Sequence, residues 1–194
     1  MGGGKRMNAI INSFGYAGRI FSNKTWNYIV VPKCASSIII DTLSMKETKK
    51  KKAKPTFTFI RLPMMRLRSY LFQENCYTEQ EAEEKIKSII SNFDNFNEHC
   101  VPYSLYIKKN DFDFIGTLEN FDEDWKNISD IYIEHMTERQ NFDNKVQKDP
   151  KTKKFVKVDN KKIEDMHNTV IKKYSNELSR LYSGDFALYS KVTK

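Results

Sequence analysis

Three short apolar runs along the chain are typical of strands that are buried on both faces, as in a parallel sheet. These runs cover residues 28–32, 56–60 and 112–117. The segments between and after them carry helix-start signals or apolar residues at helical spacing, and they predict helices over residues 36–45, 63–73, 78–93, 122–136 and 160–182. Strands that alternate with helices indicate an α/β domain.

Two polar stretches separate these elements. Residues 46–55 form a lysine-rich connection, and residues 139–158 lack periodicity, so we expect a mobile loop there. The 194 residues are enough for one domain and few for two. We therefore expect a flexible leader over residues 1–24 and a single domain over residues 25–194.

The composition limits the class of protein and its partners. A net charge of +8 indicates a surface that attracts anions such as nucleotides, acidic glycans or nucleic acids. No apolar run reaches the length of about 18 residues that predicts a transmembrane helix, and the first residues lack the apolar region of a secretory signal. Cys34, Cys76 and Cys100 are odd in number and widely spaced, which fits neither a disulfide framework nor a zinc site. We expect a soluble, cytoplasmic protein.

The segment 32–37 joins the first predicted strand to the first predicted helix and predicts an anion site. Such a loop points several backbone N–H groups at one spot, where the helix dipole favours negative charge. Lys33 adds a positive charge to this loop. Cys34 stands beside it, either as a reactive thiol or as a small inert residue.

Arg61 marks a second anion site. It follows the second predicted strand directly, and Pro63 takes the first position of the next predicted helix. Two anion sites at the ends of neighbouring strands predict a ligand that carries two phosphates.

The two motifs resemble the donor-binding motifs of the sulfotransferases, and of the carbohydrate sulfotransferases in particular. Residues 32–37, Pro-Lys-Cys-Ala-Ser-Ser, are similar to the 5′-phosphosulfate loop of that family. Residues 59–63, Phe-Ile-Arg-Leu-Pro, together with Ser69-Tyr70, are similar to its 3′-phosphate motif. Weaker similarities follow in the family's order at residues 98–102, 114–119 with 123–124, and 181–189. The resemblance implies a P-loop-like three-layer sandwich with a central, mainly parallel sheet flanked by helices.

The resemblance also implies an activity and a donor. A sulfuryl group is expected to pass from 3′-phosphoadenosine 5′-phosphosulfate (PAPS) to a hydroxyl, with a carbohydrate as the expected acceptor, without a metal and without a nucleic-acid partner. The product of the donor is then 3′,5′-adenosine diphosphate (PAP). Lys33 is implied to be catalytic, because its charge meets the negative charge that grows on the bridging oxygen. The implied donor-binding residues are Lys33, Cys34, Ala35, Ser36, Ser37, Arg61 and Ser69.

Some features depart from the family or stay secondary. Leu62 stands where an acidic residue commonly lies between the arginine and the proline. We expect Arg66 to brace the loop and Arg68 to face solvent. Many animal carbohydrate sulfotransferases are anchored in the Golgi membrane, so the chain is expected to be a soluble form or a catalytic core.

The general base that accepts the proton of the acceptor hydroxyl is expected to be His99. The pKa of a histidine suits this role near neutral pH, and His99 lies inside a family-like segment. Glu119 and Glu98 are the carboxylate alternatives, and a histidine that only anchors its loop is a further interpretation. His135 and His167 are explained by the apolar faces of their helices.

Other interpretations stay open from the sequence. Lys33 is also compatible with an ordinary surface lysine, and Ser36 and Ser37 with a helix N-cap. A P-loop nucleotide kinase or NTPase shares the strand–loop–helix geometry, although a Walker motif is missing. A non-enzymatic basic nucleic-acid-binding module is supported by the charge alone. The lysine run 49–54 is a nucleic-acid patch, a docking surface for an acidic glycan, or a solvated loop.

Overall fold

The computed structural model describes residues 17–92, 97–107, 111–131, 146–148, 155–157 and 159–194, and these form an α/β fold in which helices flank a five-stranded sheet. The strands of this sheet are β1 (Ile20–Ser22), β2 (Asn27–Ile29), β3 (Lys46–Thr48), β4 (Thr56–Ile60) and β5 (Phe114–Thr117). Strands β6 (Val146–Lys148) and β7 (Phe155–Lys157) form a separate antiparallel pair. The helices are α1 (Ser36–Thr42), α2 (Pro63–Gln73), α3 (Glu79–Ser91), α4 (Phe121–Trp125), α5 (Asn160–Lys173), α6 (Ser175–Leu181) and α7 (Ser183–Val192), with 3₁₀ turns at Tyr103–Leu105 and Leu118–Asn120.

The five-stranded sheet is mixed, with the order β3-β1-β2-β4-β5. Strands β2, β4 and β5 run parallel, whereas β1 is antiparallel to both of its neighbours. The expectation of a mainly parallel sheet therefore describes only one half of it. The reason is a short turn between β1 and β2, in which the Asn23 side chain accepts hydrogen bonds from the N–H groups of Thr25 (2.9 Å) and Trp26 (2.8 Å). A connection this short permits only antiparallel pairing.

Several element bounds differ from the sequence predictions. Strand β1 lies inside the predicted leader 1–24, so that prediction extends the leader too far, and β3 lies inside the predicted connection 46–55. The predicted helix 160–182 is divided at Tyr174, and α7 follows it without having been predicted. Residues 132–136 of the predicted helix 122–136 lie outside the described residues, as does most of the predicted loop 139–158.

Apolar residues cover both faces of the sheet. On one face, Phe57 and Phe59 of β4 pack with Ile39 of α1 and with Phe121 and Trp125 of α4. On the other face, alternate positions contact the C-terminal helix and the first 3₁₀ turn, through Ile29, Val31, Ile60, Tyr103 and Leu188. The period of two along a strand produces this division.

Helices α2, α3, α5 and α6 form a further core beside the sheet. Its buried residues include Leu67, Leu71, Ile86, Val170 and Leu178. Helix α3 begins with the predicted capping box, because the Thr78 side chain accepts from the Glu81 N–H and the Glu81 side chain accepts from the Thr78 N–H. This core fixes α2, and α2 in turn carries the side chains that contact the loop after β2.

Candidate functional site

The carboxyl ends of β2, β4 and β5 meet at one edge of the sheet, because these strands are parallel. The loop 32–37 follows β2, Arg61 follows β4, and Glu119 follows β5. The predicted donor motifs therefore lie at the same edge. In open α/β sheets this edge is where ligands bind.

The loop 32–37 has an unusual backbone. Lys33 and Ala35 have left-handed φ angles of 67° and 59°, although neither is glycine. Each such residue costs about 1 kcal/mol or more, and this strain is maintained only where surrounding contacts enforce it. Left-handed residues that alternate with residues of negative φ are typical of anion-binding nests, in which backbone N–H groups point toward one spot.

Three amide groups of this loop are available to a ligand. The Cys34 N–H donates to the Val31 carbonyl at 3.2 Å and closes a turn. Within the described part of the chain, the N–H groups of Ala35, Ser36 and Ser37 have no acceptor, and no side chain caps α1. The expected amide cradle thus consists of residues 35–37, without the amide of Cys34.

The two serines of the loop differ in role. The buried Ser36 hydroxyl donates to the Val31 carbonyl at 2.9 Å and accepts from the Tyr28 hydroxyl at 3.0 Å. Its hydrogen is therefore engaged in holding the loop, which corrects the expectation that this hydroxyl binds phosphate. Ser37 is exposed, and its hydroxyl has no partner among the described residues.

The Lys33 ammonium group makes no hydrogen bond or ion pair with any residue that the structure describes. Burial lowers its pKa from 10.5 to about 8, and the charge of Arg66 acts in the same direction, while Glu74 opposes both. A half-buried cation without a partner is stabilised by an anion that enters its surroundings. This arrangement favours a ligand-binding lysine over an ordinary surface lysine.

Cys34 is inert in this environment. Its side chain is completely buried, and burial raises the pKa of the thiol to about 12 against the opposing charges of Arg66 and Arg61. The thiolate is the reactive form of cysteine, so this thiol is unreactive near neutral pH.

The Arg61 guanidinium is incompletely paired. Its side chain is 23% exposed, and Nε lies 3.9 Å from the Oε1 atom of Glu119. Nε is buried and makes no hydrogen bond. Ser69, in the second turn of α2, is half-buried, and its hydroxyl makes no hydrogen bond among the described residues.

The two remaining arginines of α2 have structural roles. Arg66 is buried, and its guanidinium donates to the carbonyls of Pro32 (2.9 Å), Val101 (2.7 Å) and Glu98 (3.3 Å). The prediction that Arg66 braces the loop is confirmed. Arg68 is only 14% exposed and pairs with Glu164 of α5, so the prediction that it faces solvent is wrong.

Burial lowers the pKa of His99 below its usual value, and the positive charge of Lys33 acts in the same direction. Nε2 lies 3.8 Å from the Oε1 atom of Glu98, and Nδ1 is buried without a hydrogen bond. A neutral imidazole with an unsatisfied nitrogen is able to accept a proton.

The two carboxylate alternatives to His99 are already engaged. Glu98 accepts from the Ala17 N–H at 3.2 Å. Glu119 accepts from the Leu62 N–H at 3.1 Å through Oε1 and from the Tyr189 hydroxyl at 3.1 Å through Oε2. These bonds make His99 a better candidate for a proton acceptor than either glutamate.

Asp185 is a supporting residue whose role the sequence did not reveal. This buried carboxylate accepts from the N–H groups of Tyr103 (3.0 Å) and Ser104 (2.8 Å), and the Tyr103 hydroxyl lies 3.3 Å from the Arg61 carbonyl. Burial raises the pKa of Asp185. In the sequence, only the weak similarity to the family at residues 181–189 pointed to Asp185. Helix α7, which contains it, was not predicted.

The remaining histidines are not part of this site. His167 is buried, and its Nε2 lies 2.6 Å from the Cys76 carbonyl oxygen, in agreement with a structural role. His135 lies outside the described residues. No group of three His, Cys, Asp or Glu side chains in the described ranges is arranged to hold a metal ion.

Comparison with known proteins adds no relative: no family model, curated protein or solved structure matches the chain. The described helices include none that is both long and apolar enough to cross a membrane.

Proposed function

We propose that this protein is a sulfotransferase that moves a sulfuryl group from PAPS to a hydroxyl acceptor, with a carbohydrate as the acceptor class. One observation carries the proposal. Lys33 and Arg61, two cations without a full set of partners, stand at the same edge of two adjacent parallel strands, beside three free amides. The fold proposed with this function is a three-layer sandwich of the P-loop-like kind, in which the antiparallel β1 and β3 extend the parallel half.

The proposed roles follow from the surroundings of each residue. The amides of residues 35–37 and the Ser37 hydroxyl hold the 5′-phosphate, and Arg61 with Ser69 holds the 3′-phosphate. Lys33 stabilises the negative charge on the bridging oxygen as the bond between that oxygen and sulfur breaks. The acceptor oxygen forms the new bond to sulfur, and its proton passes to His99.

Two other functions share part of this chemistry. A P-loop kinase or NTPase uses the same strand–loop–helix cradle, but it holds the β- and γ-phosphates together with Mg²⁺. A nucleic-acid-binding module binds through basic surface residues and does not require an arginine such as Arg61, whose Nε is buried without a hydrogen bond. The ligand that the protein binds most tightly distinguishes the proposal from both alternatives.

The test is calorimetry with PAP, 5′-AMP, ATP with Mg²⁺, and single-stranded DNA. We expect PAP to bind at least about tenfold more tightly than 5′-AMP, because charge-assisted hydrogen bonds contribute about 1.5 to 3 kcal/mol each. Arg61→Ala should abolish this preference and leave the affinity for 5′-AMP unchanged. Arg19→Ala is the matched control, since Arg19 pairs with Glu47 on the surface at 3.4 Å.

A transfer assay completes the experiment. Lys33→Ala should lower turnover more than PAP affinity, and His99→Ala should lower turnover by about a hundredfold to ten-thousandfold with PAP affinity unchanged. Equal affinity for PAP and 5′-AMP would remove the case for a 3′-phosphate site. A preference for ATP with Mg²⁺ would favour the kinase or NTPase instead.

A further inference from the structure

Glu119 is the one acidic side chain in the described residues that is in ion-pair contact with Arg61. Its carboxylate joins three elements at the ligand edge of the sheet. Oε1 accepts from the Leu62 N–H at 3.1 Å and lies 3.9 Å from the Arg61 Nε, and Oε2 accepts from the Tyr189 hydroxyl at 3.1 Å. The side chain follows β5, its first two partners follow β4, and the third lies in α7.

The sequence has a leucine at position 62, where the resemblance leads us to expect an acidic residue, and Glu119 brings an acidic group close to Arg61 from another strand end. The carboxylate accepts from the backbone N–H of Leu62 itself, so an acidic group lies beside position 62 and beside Arg61 although residue 62 is a leucine. The Arg61 Nη atoms make no hydrogen bond with the described residues, which leaves them available to a ligand. The carboxylate therefore lies beside the guanidinium without occupying its outer donors.

We infer that Glu119 is a positioning residue that holds Arg61 in the geometry required for the 3′-phosphate of the donor, and that Tyr189 holds Glu119 in turn. The inference rests on the proposed function. It assigns part of the donor site to α7, the last helix of the chain, and it gives Glu119 a role other than proton transfer.

The sign of the effect of Glu119→Ala distinguishes positioning from simple electrostatics. Removal of a negative charge beside an anion site strengthens anion binding if the charge acts only through its field. Loss of a positioning contact has the opposite effect, because an arginine that is free to move loses its fixed hydrogen-bond geometry. Positioning thus predicts weaker binding of PAP in a variant that is more positively charged.

The experiment measures the affinities for PAP and 5′-AMP on a set of single and double variants. Glu119→Ala should weaken PAP binding by about tenfold, the value of one charge-assisted hydrogen bond, and leave 5′-AMP binding unchanged. Adding Leu62→Asp to Glu119→Ala should restore most of the affinity for PAP, because Asp is also a favoured residue at the start of a helix. Glu47→Ala is the matched control, since it removes the partner of Arg19 on the surface.

A milder variant guards against a loss of folding. Tyr189→Phe removes only the hydroxyl that bonds Oε2, and it should weaken PAP binding less than Glu119→Ala with an unchanged thermal melt. If the wild-type protein does not prefer PAP over 5′-AMP, the proposed function fails. If the wild type has that preference and Glu119→Ala keeps it or strengthens it, the inference about Glu119 fails alone.

Discussion

Lys33 and Cys34 are neighbours in the loop 32–37, and burial affects the charge of both side chains. The Cys34 side chain is buried between the sheet and α7, whereas the Lys33 side chain is half-buried and keeps partial contact with solvent. Burial raises the pKa of the thiol and lowers the pKa of the ammonium group, because in both cases it penalises the charged form. Lys33 therefore lowers the stability of the folded protein at neutral pH, which is typical of a residue retained for binding.

The pKa of Lys33 predicts a pH dependence of donor binding. In the free protein this pKa is about 8, and a bound anion raises it because the anion favours the charged form. PAP affinity should be nearly constant from about pH 7 to 8, where phosphate is already doubly ionised, and should then fall by up to about tenfold per pH unit. Calorimetry of PAP binding between about pH 7 and 9.5 measures this profile.

Lys33→Met provides the control for that profile. The variant should bind PAP weakly at every pH, without the decline above about pH 8. The unfolding linkage has the opposite sign: the unfolded lysine, with a pKa of 10.5, binds more protons than the folded one between about pH 8 and 10.5, so this group makes the protein more stable as pH rises. A flat profile for the wild type would show that the Lys33 charge does not act on the ligand.

Residue types at the site were more predictable than their partners. The positions of Lys33 and Arg61 relative to predicted strands and helices were enough to indicate two anion sites. The hydrogen bond of the Ser36 hydroxyl depends on the side chain's direction in the first turn of α1, which the sequence does not reveal. The contact between Glu119 and Leu62 joins residues that are 57 positions apart, and only the parallel pairing of β4 and β5 brings them together.

At the scale of elements, Arg66 connects three parts of the site. From α2, its guanidinium reaches the carbonyl of Pro32 in the loop after β2 and those of Glu98 and Val101 on either side of His99. The fork of an arginine satisfies several acceptors in fixed geometry, which a lysine does not reproduce. Arg66 therefore fixes the positions of the loop 32–37 and of the segment around His99 relative to each other.

Arg66→Met should destabilise the fold and disturb the site. The two shorter hydrogen bonds, to Pro32 and Val101, are lost, and each buried acceptor left unsatisfied costs about 1 to 3 kcal/mol. We expect the free energy of unfolding in urea to fall by about 3 kcal/mol, with weaker PAP binding in the folded protein.

Arg68→Met is the matched control on the same helix. It removes a pair with the partly exposed Glu164, and pairs of this kind contribute about 1 kcal/mol or less. Equal losses of stability from the two arginine variants would show that the bonds of Arg66 to the loop have no special importance. Unchanged PAP affinity in Arg66→Met would contradict the bracing role.

Elements were predictable where a pattern was long enough to define a period. Helices α3 and α5 carry a repeated apolar face, and α3 has its capping box, so their existence followed from the sequence. Strands β1 and β3 have three residues each, which is too short for a periodic signal. Their antiparallel pairing depends on a short turn and on tertiary contacts.

At the scale of the whole molecule, the lysine run 49–54 and Arg61 lie at opposite ends of β4. The lysine run 49–54 precedes β4, whereas Arg61 follows it. The run is fixed by the buried Asn27, whose Nδ2 donates to the carbonyls of Lys52 (2.9 Å) and Lys54 (3.0 Å). The five residues of β4 separate the two ends by about 17 Å. The run therefore lies away from the proposed donor site, which argues against its docking an acceptor next to Lys33.

Replacing the exposed Lys49, Lys50 and Lys52 by glutamine should leave the affinity for PAP within about twofold of the wild-type value. The separation of about 17 Å is roughly twice the Debye length of about 8 Å at physiological salt, so the removed charges are screened from the ligand. Calorimetry at 0.15 M and at about 0.01 M salt tests this reasoning, because a Debye length of about 30 Å should make the same three charges detectable.

Lys33→Ala serves as the comparison, since one charge at the site should outweigh three at the opposite edge. A loss of PAP affinity at 0.15 M salt similar to that of Lys33→Ala would mean that donor binding depends on the overall charge of the protein. A loss of single-stranded DNA binding in the triple variant, with PAP binding absent from the wild type, would instead favour the nucleic-acid-binding module.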